Sequence, residues 1–358
     1  MHFIIKENTM NRKSFFILAS AALTTALAFA PSMCAAQSTE LTGAGSTFVY
    51  PIMARWAADF KAAHPAIAIN YQSIGSGAGI QQIRNNTVDF GASDASLSDA
   101  QLRQMPAVIQ IPESAGPVCI TYNLPISQPL HLTGDALAGI FLGTITRWTD
   151  PRITQSNPGV QLPNKPILIA HRSDGSGTTS IFTAYLAAVS PAWKAKVGSG
   201  IAVNWPVGLG GKGSEGVTGV VKQTQGAIGY VELTYATGNH LPVAWMRNAA
   251  GQYVAPSTSG TSAAIAGFKA ELARDVRSPI VNAPGAAAYP IAGLTFLILP
   301  KDGANLAKRQ ALKRFVAYIL TTGQRSAAAL GYAPLPPAIQ KLDLHLAGEM
   351  LAAGRPLH

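Results

Sequence analysis

The sequence predicts a two-lobed α/β protein with a ligand cleft between the lobes. Short apolar segments alternate with stretches whose apolar residues recur at helical spacing, which is typical of a sheet covered by helices. Of the 358 residues, 322 remain after a predicted N-terminal signal of 36, which is too long for one small domain and favours two lobes. Two groups of Gly/Ser/Thr-rich loops lie far apart along the chain, as expected if each lobe supplies one wall of the cleft.

The N-terminus predicts an export signal over residues 1–36, with cleavage after Ala36. Three basic residues fall within the first 13 positions, an apolar stretch follows, and small residues surround the predicted cleavage point. The apolar stretch is shorter than the ~20 residues that a membrane span needs, so a membrane anchor is less favoured. Acylation of Cys34 and translation from Met10 also stay open.

The predicted mature chain is basic. Cleavage removes three of the 27 Lys and Arg and one of the 17 Asp and Glu, which leaves a net charge of +8 with His neutral. The basic residues are scattered without a long run, so we interpret them as an ordinary basic surface and expect no nucleic-acid partner. Cys119 is then the only cysteine, which excludes an intramolecular disulfide, and its apolar neighbours predict a buried strand residue.

The first part of the mature chain predicts a series of strands that lead to Asp94. The third of them ends just before this carboxylate, and ligands of open α/β sheets bind at the carboxyl ends of strands. The predicted elements are a strand ending at residue 43, a helix over 52–60, a strand over 67–71, a short helix over 79–84 and a strand over 88–92.

The rest of the chain predicts a second strand–loop–helix unit and a terminal helix. The loop, residues 172–178, follows a buried strand over 167–170 and precedes a helix with an apolar stripe over 181–186. Residues 128–166 look looser, being richer in Pro, Gly and Asn. Further predicted elements are strands over 226–231 and 295–299 and a helix over 306–322, whose basic residues Lys308, Arg309, Lys313 and Arg314 are expected to form a solvated face.

Three Gly/Ser/Thr-rich loops, residues 43–47, 75–79 and 174–178, each precede a helical pattern. Such turns aim backbone N–H groups and hydroxyls at one point and favour a bound anion. Arg172 adds a planar fork that matches an oxyanion, and Asp174 can hold its guanidinium group. The alternative is that Asp174 and Ser176 serve only as helix caps.

Asp94 makes the predicted site selective. A fixed carboxylate repels an anion unless that anion still carries a proton to donate, as phosphate does at neutral pH and sulfate does not. The combination of Asp94 with anion-binding loops therefore predicts a site for a protonated oxyanion.

Other chemistries have little support in the sequence. Neither glycine cluster has the spacing of a dinucleotide fingerprint, and Gly213 replaces the Ser or Thr of a P-loop, so residues 208–213 are interpreted as a flexible turn. The seven His show no metal-binding spacing. His171 lies near the Gly-flanked Ser176 and stays open as a base, but no catalytic triad is visible. We expect no catalytic residue, metal or cofactor.

These motifs together resemble the periplasmic phosphate-binding proteins of bacterial ABC-type phosphate importers. The matching segments run in order through nearly the whole mature chain, and their combination is highly specific. They are Leu41–Phe48, Tyr71–Gly77, Thr87–Asp94, Asp174–Thr178, Trp205–Gly213, Gly226–Val231 and Gly331–Pro336.

The resemblance implies a type II-like periplasmic-binding-protein fold, with hinge strands joining two α/β lobes that close over phosphate. Lobe 1 would comprise residues 37–122 and 289–358, and lobe 2 residues 123–288. The implied function is periplasmic capture of inorganic phosphate and its delivery to the transmembrane permease of an ABC transporter with its ATPase. The protein would be a monomer and not an enzyme.

The resemblance also assigns roles to the site residues. Asp94 would accept the phosphate proton, Phe48 would donate through its backbone N–H, and Asp174 would restrain Arg172. The phosphate-binding set is Ser46, Thr47, Phe48, Ser76, Asp94, Arg172, Ser176, Gly177 and Thr178.

Two positions depart from the family pattern. Ser46 stands where the family often has Ala, so its hydroxyl either lines the site or caps the helix. His171 stands where a second Arg can occur, which weakens the case for a strongly positive rim. Binding of another oxyanion, sulfate or molybdate, is one alternative function, and a periplasmic phosphatase is a less favoured one.

Overall fold

The computed structural model describes residues 38–357, so the predicted signal and its cleavage point after Ala36 lie outside the described residues. No helix among these residues has the length and apolar character needed to cross a membrane. The strands are β1 (Thr39–Gly45), β2 (Ile67–Ser73), β3 (Phe90–Ser93), β4 (Val108–Tyr122), β5 (His131–Leu132), β6 (Leu168–Arg172), β7 (Leu209–Gly211), β8 (Ala227–Glu232), β9 (Trp245–Arg247), β10 (Tyr253–Val254), β11 (Ala292–Pro300), β12 (Leu351–Ala352) and β13 (Arg355–Pro356).

The helices lie between these strands, as the alternating pattern predicts. Two 3₁₀ helices, Thr322–Ser326 and Ala328–Leu330, add to the α-helices near the C-terminus. The α-helices are α1 (Tyr50–Ala63), α2 (Ser76–Arg84), α3 (Asp99–Arg103), α4 (Gly134–Phe141), α5 (Pro151–Thr154), α6 (Gly177–Val189), α7 (Pro191–Lys196), α8 (Gly213–Gln223), α9 (Leu233–Gly238), α10 (Thr258–Gly267), α11 (Lys269–Arg274), α12 (Leu306–Leu320) and α13 (Pro337–Ala347).

One eight-stranded mixed sheet runs through the described part of the chain, in the order β2-β1-β3-β11-β4-β8-β6-β7. Strands β2, β1 and β3 are parallel at one end, and β8, β6 and β7 are parallel at the other. Between them, β4 pairs antiparallel with β11 through its first part and with β8 through its second part. Strands β4 and β11 therefore join the two halves, and the predicted α/β fold class with hinge strands is confirmed.

Helix α1 shows how the apolar pattern places the core. Ile52, Met53, Trp56 and Phe60 recur at helical spacing and are all buried. The ring of Phe60 packs against that of Phe315 at a centroid distance of 5.1 Å, and each such side chain contributes about 1.5–3 kcal/mol on burial. This packing fixes α1, and hence the loop at its N-terminus, against α12.

The structure confirms the prediction for Cys119 and differs from the predictions for two loop segments. Cys119 is fully buried on β4, as predicted. Residues 128–166 contain β5, α4 and α5, so they are more regular than expected. The expected flexible turn at residues 208–213 is wrong, because it contains β7, which pairs with β6.

The solvated basic face expected on α12 is also wrong in part. Arg309 is buried, and its guanidinium donates to the carbonyl oxygens of Leu351, Pro300 and Lys301 at 2.9, 2.8 and 3.1 Å. Lys308 pairs with Asp89 at 2.8 Å. The sequence shows a basic stripe but not the carbonyl groups that the end of β11, the turn after it and the C-terminal residue Leu351 bring to Arg309.

Replacing Arg309 with Met is therefore expected to lower the free energy of unfolding by about 2 kcal/mol, because buried carbonyl groups lose their donors. Arg314→Met is the matched control, since Arg314 lies on the same helix and is exposed. Its effect should stay within about 0.5 kcal/mol. Urea unfolding of both variants measures the difference, and equal stabilities would contradict the structural role of Arg309.

Candidate anion-binding site

The first loop of the site forms where β1 ends. Gly45 has a φ of +143°, and a Cβ there would lie 2.0 Å from the carbonyl oxygen of Ala92. Only glycine fits this close crossing of β1 and β3, which starts a short loop before α1. The loop directs the Ser46 hydroxyl at the carboxylate of Asp94, to which it donates a hydrogen bond.

Thr47 and Phe48 continue this loop in different directions. The Thr47 hydroxyl lies 2.9 Å from the hydroxyl of Ser214. The Phe48 ring is fully buried against Tyr332, whose hydroxyl donates to the Phe48 carbonyl at 2.6 Å. The side chain of Phe48 therefore belongs to the core, and only its backbone is available to a ligand.

The second loop brings Ser76 to the same place. Ser76 opens α2 and is 1% exposed. Its hydroxyl accepts a hydrogen bond from the backbone N–H of Asp94 at 3.3 Å. The loops after β1 and β2 thus converge on the residue that follows β3, as the carboxyl ends of neighbouring parallel strands allow.

Asp94 lies at the centre of these contacts and is 4% exposed. Besides the hydrogen bond from Ser46, the Thr178 hydroxyl donates to its other oxygen at 3.4 Å. Burial raises the pKa of Asp94 to about 6, although the hydrogen bond from Ser46 and the positive charge of Arg172 oppose the shift. Asp94 can therefore accept a proton near neutral pH far more readily than an exposed aspartate.

The opposite wall begins with Arg172 at the end of β6. Its guanidinium donates to both oxygens of Asp174, at 2.8 and 2.5 Å. Burial alone raises the pKa of Asp174, but Arg172 and the backbone N–H of Gly213 together hold it below its usual value. The bidentate pair fixes the guanidinium plane, as the sequence analysis predicts for these two residues.

The N-terminus of α6 completes this wall. Ser176 is its N-cap, and its hydroxyl accepts from the backbone N–H of Thr179 at 3.1 Å. The capping role considered for Ser176 is thus realised, but a hydroxyl that accepts one hydrogen bond still has a hydrogen to donate. Gly177 and Thr178 form the first turn, where the unpaired N–H groups of a helix favour an anion.

The two walls touch each other directly. The Gly77 N–H donates to the carbonyl of Gly175 at 2.8 Å, and the Tyr235 hydroxyl donates to the carbonyl of Thr47 at 2.8 Å. A Cβ on Gly177 would lie 2.6 Å from the Cβ of Asp94. The contacts of Ser46, Ser76, Gly177 and Thr178 thus all meet at Asp94.

Known proteins match this chain over most of its length. Residues 30–322 match the model of the PBP superfamily domain. The phosphate-binding protein PstS of Xylella fastidiosa is 44% identical over 89% of this chain and 88% of its own. The PstS of Pasteurella multocida is 41% identical over 90% of this chain and 94% of its own. The chain belongs to the PstS phosphate-binding protein family.

Two solved structures share the fold of this chain. A high-affinity periplasmic phosphate-binding protein bound with phosphate, PfluDING, aligns with a TM-score of 0.68 at 23% identity, over 85% of this chain and 92% of its own. The phosphate-binding protein of Stenotrophomonas maltophilia aligns with a TM-score of 0.63 at 20% identity, over 86% and 94% of the two chains.

The sequence of this PstS-family chain does not predict the residues that hold the two walls together. Ser214 and Tyr235 both contact Thr47 from the far wall, and Gly213 supports Asp174. Gly213 and Ser214 open α8, so a Gly/Ser pair before a helical apolar pattern is the signal available for them. The interpretation of the preceding residues as a flexible turn hides that signal. Within residues 38–357 no cluster of His, Cys, Asp and Glu is suited to a metal ion.

Proposed function

We propose that this protein binds inorganic phosphate and delivers it to the membrane permease of an ABC-type importer. The observation that carries the proposal is the position of Asp94, a buried carboxyl that accepts hydrogen bonds from both walls. A phosphate that keeps one proton can donate it to Asp94, whereas a fully ionised oxyanion cannot. Membership of the PstS family supports the same ligand.

We assign the ligand contacts to the residues that the sequence analysis selects. Hydroxyl, backbone N–H and guanidinium groups would surround the oxyanion, and the Asp174 carboxylate would hold the guanidinium in place. The proposed contacts are Ser46, Thr47, Phe48 through its backbone, Ser76, Asp94, Arg172, Ser176, Gly177 and Thr178. The hydrogen bonds that join Ser46, Ser76 and Thr178 to Asp94 support this assignment.

The proposed lobes follow the same division as in the sequence analysis, with residues 37–122 and 289–358 in lobe 1 and residues 123–288 in lobe 2. The positions of β4 and β11, which end and begin close to these boundaries, support the division. The protein would act in the periplasm as a monomer, after removal of residues 1–36. It is a binding protein and not an enzyme, in keeping with the PstS relatives.

The test is a calorimetric titration of residues 37–358, stripped of phosphate, with phosphate and separately with sulfate at neutral pH. We expect tight one-to-one binding of phosphate and no heat from sulfate. Equal binding of the two ions would contradict a site that depends on the proton of its ligand. Binding of neither ion would refute the proposed function.

A further inference from the structure

A second buried carboxyl group, Glu113, lies on β4 behind the proposed site. It is fully buried, and its Oε1 accepts a hydrogen bond from the hydroxyl group of Thr295 on β11 at 3.1 Å. Its other oxygen, Oε2, has no hydrogen-bond partner among the residues that the structure describes. Neither the ligand contacts proposed above nor the packing of the core requires a carboxyl group at this position.

The strand pairing explains why Glu113 points at Thr295. Thr295 is opposite Ser114 and Phe296 is opposite Pro112, so Glu113 is the extra residue of a β-bulge in β4. Bulges re-aim side chains and recur beside functional sites. The backbone carbonyl of Glu113 accepts from the Gln324 side chain at 2.9 Å, which ties the bulge to the C-terminal segment.

Thr295 connects Glu113 to the site. On its other side β11 pairs with β3, with Phe296 opposite Ser93, and this register places Thr295 beside Asp94. Thr295 is close enough to be among the groups that lower the pKa of Asp94, although in this structure its hydroxyl donates to Glu113. A threonine hydroxyl has only one hydrogen, so it can donate to one of the two carboxyl groups at a time.

We propose that Glu113 is a positioning residue that, in its neutral form, donates to Thr295 and so directs the single hydroxyl hydrogen of Thr295 at the carboxylate of Asp94. When Glu113 ionises, the Thr295 hydrogen turns to Glu113 and leaves a lone pair facing Asp94. Ionisation also adds a negative charge behind the bound anion. Both changes weaken phosphate binding, and this inference rests on the phosphate-binding function proposed above.

The surroundings of Glu113 favour its neutral form at neutral pH. Burial raises the pKa of Glu113 to about 8; the hydrogen bond from Thr295 opposes the shift and the charge of Asp94 adds to it. Tyr71 on β2 faces both carboxyl groups, and its own pKa is raised by burial and by these two charges. Glu232 on β8 and Asp343 on α13 also belong to elements packed against β4.

The test is the pH dependence of the phosphate Kd between pH 6 and 9.5, for the wild type and Glu113→Gln. Glutamine keeps a donor for Thr295 but cannot ionise. Because neutral Glu113 favours phosphate binding, bound phosphate raises the pKa of Glu113 further, and wild-type affinity should fall about tenfold more than that of the variant between pH 7 and pH 9. Ionisation of phosphate itself is common to both proteins and cancels in the comparison.

Two further variants test whether Glu113 acts on Asp94 through Thr295. Glu232→Gln is the matched control, because Glu232 is also buried, also contacts a threonine and also has a pKa raised to about 8 by burial. It should keep the wild-type pH profile. Thr295→Val, which has no hydroxyl group to donate to Asp94, should bind phosphate more weakly than the wild type at pH 7. A phosphate affinity of Thr295→Val equal to that of the wild type would overturn the proposed role of Thr295.

A measurement on the wild type alone keeps the inference testable if Glu113→Gln does not fold. Calorimetry in buffers of different ionisation enthalpy gives the number of protons taken up with phosphate at pH 9, and we expect the buffer to give up about one proton to Glu113. No proton uptake, or identical pH profiles for the wild type and a folded Glu113→Gln, would overturn the inference while leaving phosphate binding intact. Absence of phosphate binding at every pH would instead refute the proposed function.

Discussion

Replacement of Asp94 with Asn is expected to remove the discrimination between phosphate and sulfate. In the wild type the buried carboxylate faces a sulfate oxygen with no proton between them, an arrangement that costs more than the ~1–3 kcal/mol of an unpaired neutral group. Asparagine replaces the charge with an amide that can donate. Since each 1.4 kcal/mol is about tenfold, we expect sulfate affinity to rise about 100-fold.

Phosphate should still bind to Asp94→Asn. The amide oxygen of asparagine remains an acceptor for the phosphate proton, and the hydroxyl groups of Ser46 and Thr178 can donate to the ligand in place of Asp94. We therefore expect phosphate affinity to change by about tenfold or less. Competition between sulfate and phosphate, followed by calorimetry, measures both affinities on one sample.

Asp343→Asn provides the control for this experiment. Asp343 is likewise buried, but its carboxylate oxygens have no hydrogen-bond partner among residues 38–357. The same change there should leave the phosphate-to-sulfate ratio unaltered. An unaltered ratio in Asp94→Asn as well would rule out proton-based selectivity.

The wild type should show the same loss of discrimination in acid. Burial raises the pKa of Asp94 to about 6, so this group becomes a donor as the pH falls through that value. Sulfate binding should therefore appear below about pH 6 in the wild type. It should be nearly independent of pH in Asp94→Asn, where that group no longer titrates.

The sequence predicts those parts of the site that depend on local pattern. Asp94 follows a short apolar strand, and Ser176 follows a glycine and precedes a helical stripe, so the sequence places both correctly relative to their elements. The loops after β1, β2 and β6 are recognisable for the same reason. Local sequence predicts strand ends and helix starts, because the backbone geometry at these positions favours glycine, serine and threonine.

The sequence does not predict features that depend on pairing between distant segments. The bulge that turns Glu113 towards Thr295 exists only because the pairing of β4 with β11 shifts register between Thr295 and Phe296. Arg309 resembles a surface residue until residues 300, 301 and 351 bring carbonyl groups to it. In each case a partner far along the chain determines whether a polar side chain faces water or the interior.

Replacement of Gly177 with Ala is expected to weaken phosphate binding by about 100-fold or more without unfolding the protein. A methyl group at this position would lie 2.6 Å from the Cβ and the backbone nitrogen of Asp94 on the opposite wall. Overpacking of this kind costs about 1–3 kcal/mol and sometimes more, and Asp94 is held by hydrogen bonds that resist displacement. The walls must separate to relieve the contact.

The loss should fall on closure of the cleft and not on folding. Gly177 lies in the first turn of α6, where alanine is a better helix former than glycine, so each lobe should fold at least as well as before. The thermal midpoint without phosphate should therefore stay close to that of the wild type. The rise of that midpoint on adding phosphate should shrink, because ligand stabilisation follows the affinity.

Gly219→Ala separates closure from a general effect of alanine in a helix. Gly219 lies within α8, and a Cβ there would have no heavy atom within 4 Å. This variant should bind phosphate as the wild type does. Small-angle scattering should show compaction on adding phosphate to the wild type and to Gly219→Ala, but not to Gly177→Ala at the same concentration. Normal affinity and compaction in Gly177→Ala would mean that the walls do not approach each other this closely when phosphate is bound.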